Sequence, residues 1–300
     1  MIYYLKHKDI DKVKWDECIA HSQLPLVYAE SWYLDCVSPH WNAFVLDDYL
    51  SVMPLPVNSK FGITFLAHPF YCQQLGVFSK VKDDSESFYN KIKKTFPFGW
   101  YSFNESNCNS SSCINSESKV TCLLSLNKSY EMLSKSFSQN TRRNIKKAYS
   151  FEVQIDENVD INEFIELTKK NTKADIKSKH YESLRNVITN AKERGRGLIL
   201  GARDNNNGEL LAAAFWLNSP DRWIFLSANS SEKGSKNLTM FALVNYFIHK
   251  HADTNVLIDF EGSMIEGIAR FYLGFGAEKH YFSHIKFNNI PFPFKYLLPL

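Results

Sequence analysis

Apolar positions along the chain alternate between helical and strand spacing many times, so neither element type dominates. Residues 9–20 predict a short helix with Val13 and Ile19 on one side. Ser31 is placed to cap a second helix that runs to Val37 and stops at Pro39. The stretch AFVLDDYLSVMPLPV at 43–57 predicts two short strands turning at Asp47 and Asp48. A further strand covers 62–66 and ends at Pro69, a helix covers 85–94, and a strand covers 99–103. Residues 104–118, NESNCNSSSCINSES, have no period and almost no large apolar groups, which predicts a long surface loop.

The pattern restarts after that loop. A strand at 120–126 precedes a helix at 129–136, a polar basic helix at 139–149 and a strand at 151–155. Asp160 caps a helix over 161–171, and a helix over 178–194 closes at Gly195. Strands at 198–203 and 209–217 form a hairpin around Asn205-Asn206-Asn207-Gly208, and 223–229 adds a third strand. Residues 236–250 are apolar nearly all round, so this helix should be buried. The continuous apolar run 256–260 suits a strand beside a crossover helix. A helix at 264–273, a strand at 279–287 and a Pro-rich tail at 291–300 complete the chain. The order β-β-β-α-β-α-β over 198–287 implies an α/β protein with a mixed sheet, antiparallel strands leading into a parallel crossover. The first hundred residues show a related order, so the expected division is 1–118 and 119–300, two halves on one plan.

Composition narrows the class. Among 300 residues, 44% are hydrophobic and 22% charged, with a net charge of +3, which excludes a disordered chain. No apolar run is long enough for a membrane span and the N-terminus lacks the apolar core of an export signal, so a cytoplasmic protein is expected. The six cysteines, Cys18, Cys36, Cys72, Cys108, Cys113 and Cys122, form no C-x-x-C pair, and none clusters with His at zinc spacing. Reduced, mostly buried thiols and no metal are expected. Aromatic residues reach 15%, and Phe215, Trp216, Phe225, Phe241, Phe247, Phe271 and Phe275 fall on strands and covering helices, as core residues would.

Three clusters carry candidate chemistry. In SQNTRRNIKKA, residues 138–148, Arg142, Arg143, Lys146 and Lys147 lie three and four apart and share one broad helix face. Four cations there suit phosphate groups, as in a nucleotide, coenzyme A or tRNA, although a solvated helix face has the same pattern. In DFEGSMIEGIARFYLGFGA, residues 259–277, Asp259 and Glu261 end an apolar strand at a turn through Gly262 and Ser263. Strand ends of this kind bind ligands in α/β sheets, and Glu261 is a candidate base, while Ser263 equally suits a helix cap. In SANSSEKGSKN, residues 227–237, Lys233, Gly234 and Ser235 offer backbone amides and positive charge to a phosphate, as does many a plain polar loop.

Two of these segments carry a resemblance. R-R-N-I-K-K-A at 142–148 resembles the basic helix of FemAB/FemX-like transferases, and G-I-A-R-F-Y-L-G-F-G-A at 267–277 resembles that family's G-x-x-R-F-K-x-x-F-G segment. Over about 120–287 the order of elements is similar to a GNAT (Gcn5-related N-acetyltransferase) module, and VMPLP and CQQLGVFS resemble segments of a bacterial acetyltransferase subgroup. The resemblance implies a GNAT fold, two tandem GNAT-like halves, and transfer of an acyl or aminoacyl group to a small-molecule or peptide amine. The donor would be acyl-CoA or aminoacyl-tRNA, with no covalently bound cofactor. Arg142, Arg143, Lys146, Lys147, Lys233, Gly234 and Ser235 would hold donor phosphates. Glu261 and Tyr272 would be catalytic, and Asn229, Asp259, Ser263 and Arg270 would contact substrate. Where the family commonly has Lys after Arg-Phe, this chain has Tyr272, which offers a neutral hydrogen bond in place of a charge. The pyrophosphate signature Q/R-x-x-G-x-G/A is absent from 230–237. These departures leave an alternative, a catalytically inactive ligand-binding protein on the same fold.

Overall fold

The computed structural model describes residues 1–81, 85–107, 116–172, 175–262 and 265–291. Ser263, Cys108, Cys113 and most of the Pro-rich tail therefore lie outside the described residues. The chain divides into two compact units, one of Met1–Lys119 with the chain from Tyr281 onward, the other of Val120–His280. Residues from 281 on, expected with the second half, thus group with the first unit.

The first unit contains β1 (Ile2–Leu5), α1 (Lys12–Ala20), α2 (Ser31–Val37), β2 (Asn42–Leu46), β3 (Ser51–Leu55), β4 (Val57–Lys60), β5 (Ile63–Ala67), β6 (Phe78–Ser79), α3 (Ser85–Thr95) and β7 (Phe98–Ser102). β1, β2, β3 and β6 pair antiparallel in that order. Val13 is 80% exposed, whereas Trp15, Cys18 and Ile19 are buried. Six positions at about 100° each put Val13 and Ile19 on different faces of α1, so the sequence expectation fails there. The pairing of β4 with β5 is a hairpin that alternation did not reveal, turning through Phe61 and Gly62, both at positive φ.

The second unit contains β8 (Glu117–Ser125), which starts just before the boundary, α4 (Tyr130–Ser136), α5 (Gln139–Tyr149), β9 (Val153–Asp156), α6 (Ile161–Asn171), α7 (Ser178–Glu193), β10 (Gly197–Asp204), β11 (Leu210–Ser219), β12 (Arg222–Ser230), α8 (Glu232–Lys236), α9 (Thr239–His251), β13 (Leu257–Asp259) and α10 (Glu266–Gly274). β14 (Glu278–Asn288) runs across the second boundary. In the second unit the sheet order is β8-β13-β12-β11-β10-β9, and only the β12–β13 pair is parallel. The α8–α9 crossover makes that parallel pair necessary.

The helix expected over 236–250 is α9, which starts at Thr239, and Leu238 at φ 59 separates it from the short preceding α8. α9 lies on one face of the sheet, where Ala212 and Ala214 leave room for it and Trp216 stacks on Phe247 at 3.7 Å. α6 and α7 cover the other face, and Gly201 keeps Val159 close: a Cβ there would sit 2.4 Å from Val159 Cγ2. Phe215, Trp216, Phe225, Phe247 and Phe275 are buried, while Phe241 and Phe271 are half-buried against the same core. The four described cysteines, Cys18, Cys36, Cys72 and Cys122, are buried and unbridged.

Candidate active site

β12 and β13 stay together for only three pairs, Arg222–Leu257, Trp223–Ile258 and Ile224–Asp259. β12 then continues to Ser230 against β11 alone. The cause is local. Phe215 pairs with Ser227 and Trp216 with Phe225, so Leu226 is an extra residue that bends β12 just past its last contact with β13. The outward backbone groups of β12 beyond this bulge have no β13 partner, at the carboxyl ends of two parallel strands, where α/β sheets bind ligands.

The turn after β13 is built around Asp259. This carboxylate is fully buried. Its Oδ1 accepts the Thr121 hydroxyl at 2.6 Å and the Glu261 N–H at 2.9 Å, and its Oδ2 lies 3.2 Å from Arg222 Nη1. Arg222 is itself 3% exposed and also pairs with Asp221 at 3.0 Å. Both oxygens of this buried carboxylate are engaged by the protein, so Asp259 shapes the turn and is not presented to a substrate as the sequence suggested. The next two residues, Glu261 and Gly262, both take positive φ, 58° and 62°. Gly262 is pressed onto β8, since a Cβ there would lie 2.1 Å from the Val120 carbonyl oxygen. Left-handed φ is uncommon for a glutamate, and such backbone persists where neighbours enforce it. Here Asp259 and β8 enforce it, and Glu261 is left half-buried at the strand end.

Tyr272 on α10 meets this turn. Its ring stacks on Phe260 at 4.9 Å and meets Phe225 edge-on at 6.1 Å. Its hydroxyl has no hydrogen-bond partner among the described residues. Burial, followed by the nearby carboxylate charge of Glu261, pushes its pKa well above 10. The phenol therefore stays protonated at neutral pH and is free to donate a hydrogen bond.

The basic helix is tied to the same element. Ser138 caps α5 by accepting the Thr141 N–H at 3.1 Å, and its own N–H donates to the Gly274 carbonyl at 2.8 Å. Gly274 ends α10, and a Cβ there would lie 2.3 Å from Thr141 Oγ1. The α5 N-terminus is thus seated on the helix that carries Tyr272. Arg142, Arg143, Lys146 and Lys147 are exposed. Arg142 donates to the Lys135 carbonyl and Arg143 to Asn140 Oδ1, and none of the four makes an ion pair among the described residues. Gln139, Asn140, Arg142, Arg143 and Lys146 line an open concavity of about 510 Å³.

The third cluster is not a phosphate loop. Lys233 Nζ lies 2.5 Å from Asp204 Oδ2 and 3.9 Å from Glu209. The Gly234 N–H donates to Ser231 Oγ, and the Ser235 N–H donates to the Ser231 carbonyl. Its charge and these two amides are engaged internally. Gly234 is there for packing, because a Cβ would meet the Leu211 carbonyl oxygen at 2.0 Å. Arg270 is exposed and pairs with Glu266 one turn away. Asn229 follows Ala228, which packs on the core, so its side chain leaves the opposite face of β12. Sequence reasoning missed Arg222, Thr121 and Phe260, and read Phe225 as core alone. A signal for Arg222 was present: Asp259 within the apolar run VLIDF needs a buried partner, and Arg222 starts the neighbouring strand.

The mixed sheet, the parallel crossover and its divergence define a GNAT-like fold of the FemX kind. The chain is similar to the crystal structure of FemX, at 11% identity and a TM-score of 0.65 over 91% of this chain and 96% of that one. It is also similar to L-PGS from Bacillus licheniformis, at 9% identity and a TM-score of 0.56 over 96% and 95%. A tandem GNAT protein from the clavulanic acid biosynthesis pathway aligns at 9% identity and a TM-score of 0.52 over 95% and 98%. No family model and no curated protein matches the sequence.

Proposed function

We propose that the protein transfers an acyl or aminoacyl group from a phosphate-bearing carrier to an amine, with Glu261 and Tyr272 at the reacting end. The observation that carries this reading is the shared seat of the two parts: α10 holds Tyr272 at the β12–β13 divergence and receives the N-terminus of the basic helix α5. The carrier's phosphates meet Arg142, Arg143, Lys146 and Lys147, and its acyl end enters the divergence. The carbonyl accepts hydrogen bonds from the unpaired edge of β12, which stabilises the oxyanion as the amine attacks. The C–N bond forms as the bond to the carrier oxygen or sulfur breaks. Glu261 takes a proton from the amine, and Tyr272 donates a hydrogen bond to the departing atom. The proton lost by the amine ends on the carrier. Acyl-CoA and aminoacyl-tRNA both fit this scheme, and both are made in the cytoplasm, where we place the reaction.

Radiolabelled acetyl-CoA, longer acyl-CoAs and a mixed aminoacyl-tRNA pool, each supplied with primary amines, test the reading. Amide formation from one donor class supports it. Binding of a donor without transfer to any amine would favour an inactive binding protein, and no binding of any donor would remove the phosphate-carrier reading. The closed loop at 233–235 favours donors held by α5 over donors that need a pyrophosphate loop there.

A further inference from the structure

A second concavity opens in the second unit at the far end of the β8–β13 ladder. Its volume is about 360 Å³, within the range of small-molecule sites. β8 runs antiparallel to β13, with Leu123 opposite Asp259 and Ser125 opposite Leu257. The cavity wall begins at Leu123, opposite Asp259, and extends along the ladder to Leu257, four residues before Glu261. One wall is apolar, from Leu123, Met132 and Leu257. The rest includes a cation and an anion, Lys128 and Glu278, with His280 beside them. Neither the Lys128 ammonium nor the Glu278 carboxylate makes an ion pair or hydrogen bond among the described residues, although both line the same space. The turn between α10 and β14 packs closely on the end of α4 beside the cavity. Gly276 has φ 84°, and a Cβ there would come within 2.8 Å of Ser136 Oγ.

We infer that this cavity binds a small zwitterion with an apolar side chain, an amphipathic α-amino acid. Its carboxylate pairs with Lys128, its ammonium with Glu278, and its side chain lies along Leu123, Met132 and Leu257. An apolar ligand alone would use neither charge, and a simple anion or cation would pair with only one. The inference is independent of the transfer reading, since it shares no residue with that site.

Calorimetric titration of the full chain with leucine, methionine and phenylalanine tests it, with N-acetyl-leucine amide as the uncharged control. At least one amino acid should bind, and the control should not. Lys128→Ala and Glu278→Gln, both at exposed positions, should each weaken binding by about tenfold or more, while Tyr272→Phe leaves it unchanged. Absence of binding by all three amino acids, equal binding of the control, or unaltered affinity in both charge variants would overturn the inference. Loss of binding in Tyr272→Phe would also overturn it, by placing the ligand at the transfer site.

Discussion

Asp259 shows how a single buried residue organises this molecule. It is fully buried beside an Arg222 that is 3% exposed, so neither charge tolerates loss of its partner. Asp259→Ala should destabilise the protein by roughly 3–5 kcal/mol in urea unfolding, because it breaks a buried ion pair and takes the acceptor from the Thr121 hydroxyl and the Glu261 N–H. The paired replacement Asp259→Leu with Arg222→Met should cost less than the two single changes summed, and a double-mutant cycle measures the difference. Residue identity in the sequence marked Asp259 as special but assigned it to a substrate. Lys233 was misread for the same reason. Its partners Asp204 and Glu209 come from β10 and the turn before β11, and only the folded sheet brings them to α8. Glu261 and Tyr272 were legible as candidates because strand end and motif named them. Their left-handed turn and aromatic stacking were not.

At the scale of elements, helices and strands of the second unit followed from periodicity, including the basic face of α5. What periodicity cannot show is where a helix is seated, since the contact of Ser138 with Gly274 joins residues 136 positions apart. The bulge at Leu226 was equally hidden, because it depends on register between two strands. Three predictions belong here. Lys146→Ala with Lys147→Ala should weaken donor binding and, for an RNA carrier, flatten the plot of log affinity against log salt by roughly two units. Lys233→Ala should leave donor affinity unchanged. Gly234→Ala should lower stability by about 1–3 kcal/mol, as α8 is forced away from β11. Parallel binding isotherms and thermal unfolding separate these outcomes.

At the scale of the whole molecule, the α/β class was readable from element order, whereas the return of the chain to the first unit after His280 was not. That unit also holds a pH dependence. His68 is half-buried, with Nε2 against the Cys72 carbonyl at 2.8 Å and Nδ1 accepting the Ser102 N–H, and its desolvation pushes its pKa down to about 3. His284 Nδ1 meets the Ser102 hydroxyl at 2.9 Å, and burial with nearby Lys119 and Lys286 lowers its pKa to about 4. In the unfolded chain both histidines take up protons near pH 6.5. Between about 6.5 and these depressed values the unfolded state binds more protons, so stability falls as pH falls through that window and levels below it. Urea unfolding at stepped pH should show this slope, reduced in His284→Asn.

The most direct measurement is single-turnover amide formation by wild type, Tyr272→Phe and Glu261→Gln, with the donor class that supports transfer and at saturating donor. If the β12–β13 divergence is the reacting end, each variant should lose about a hundredfold or more in rate while binding donor with unchanged affinity. Wild-type rates in both variants, with folding intact, would contradict the assignment of chemistry to this site.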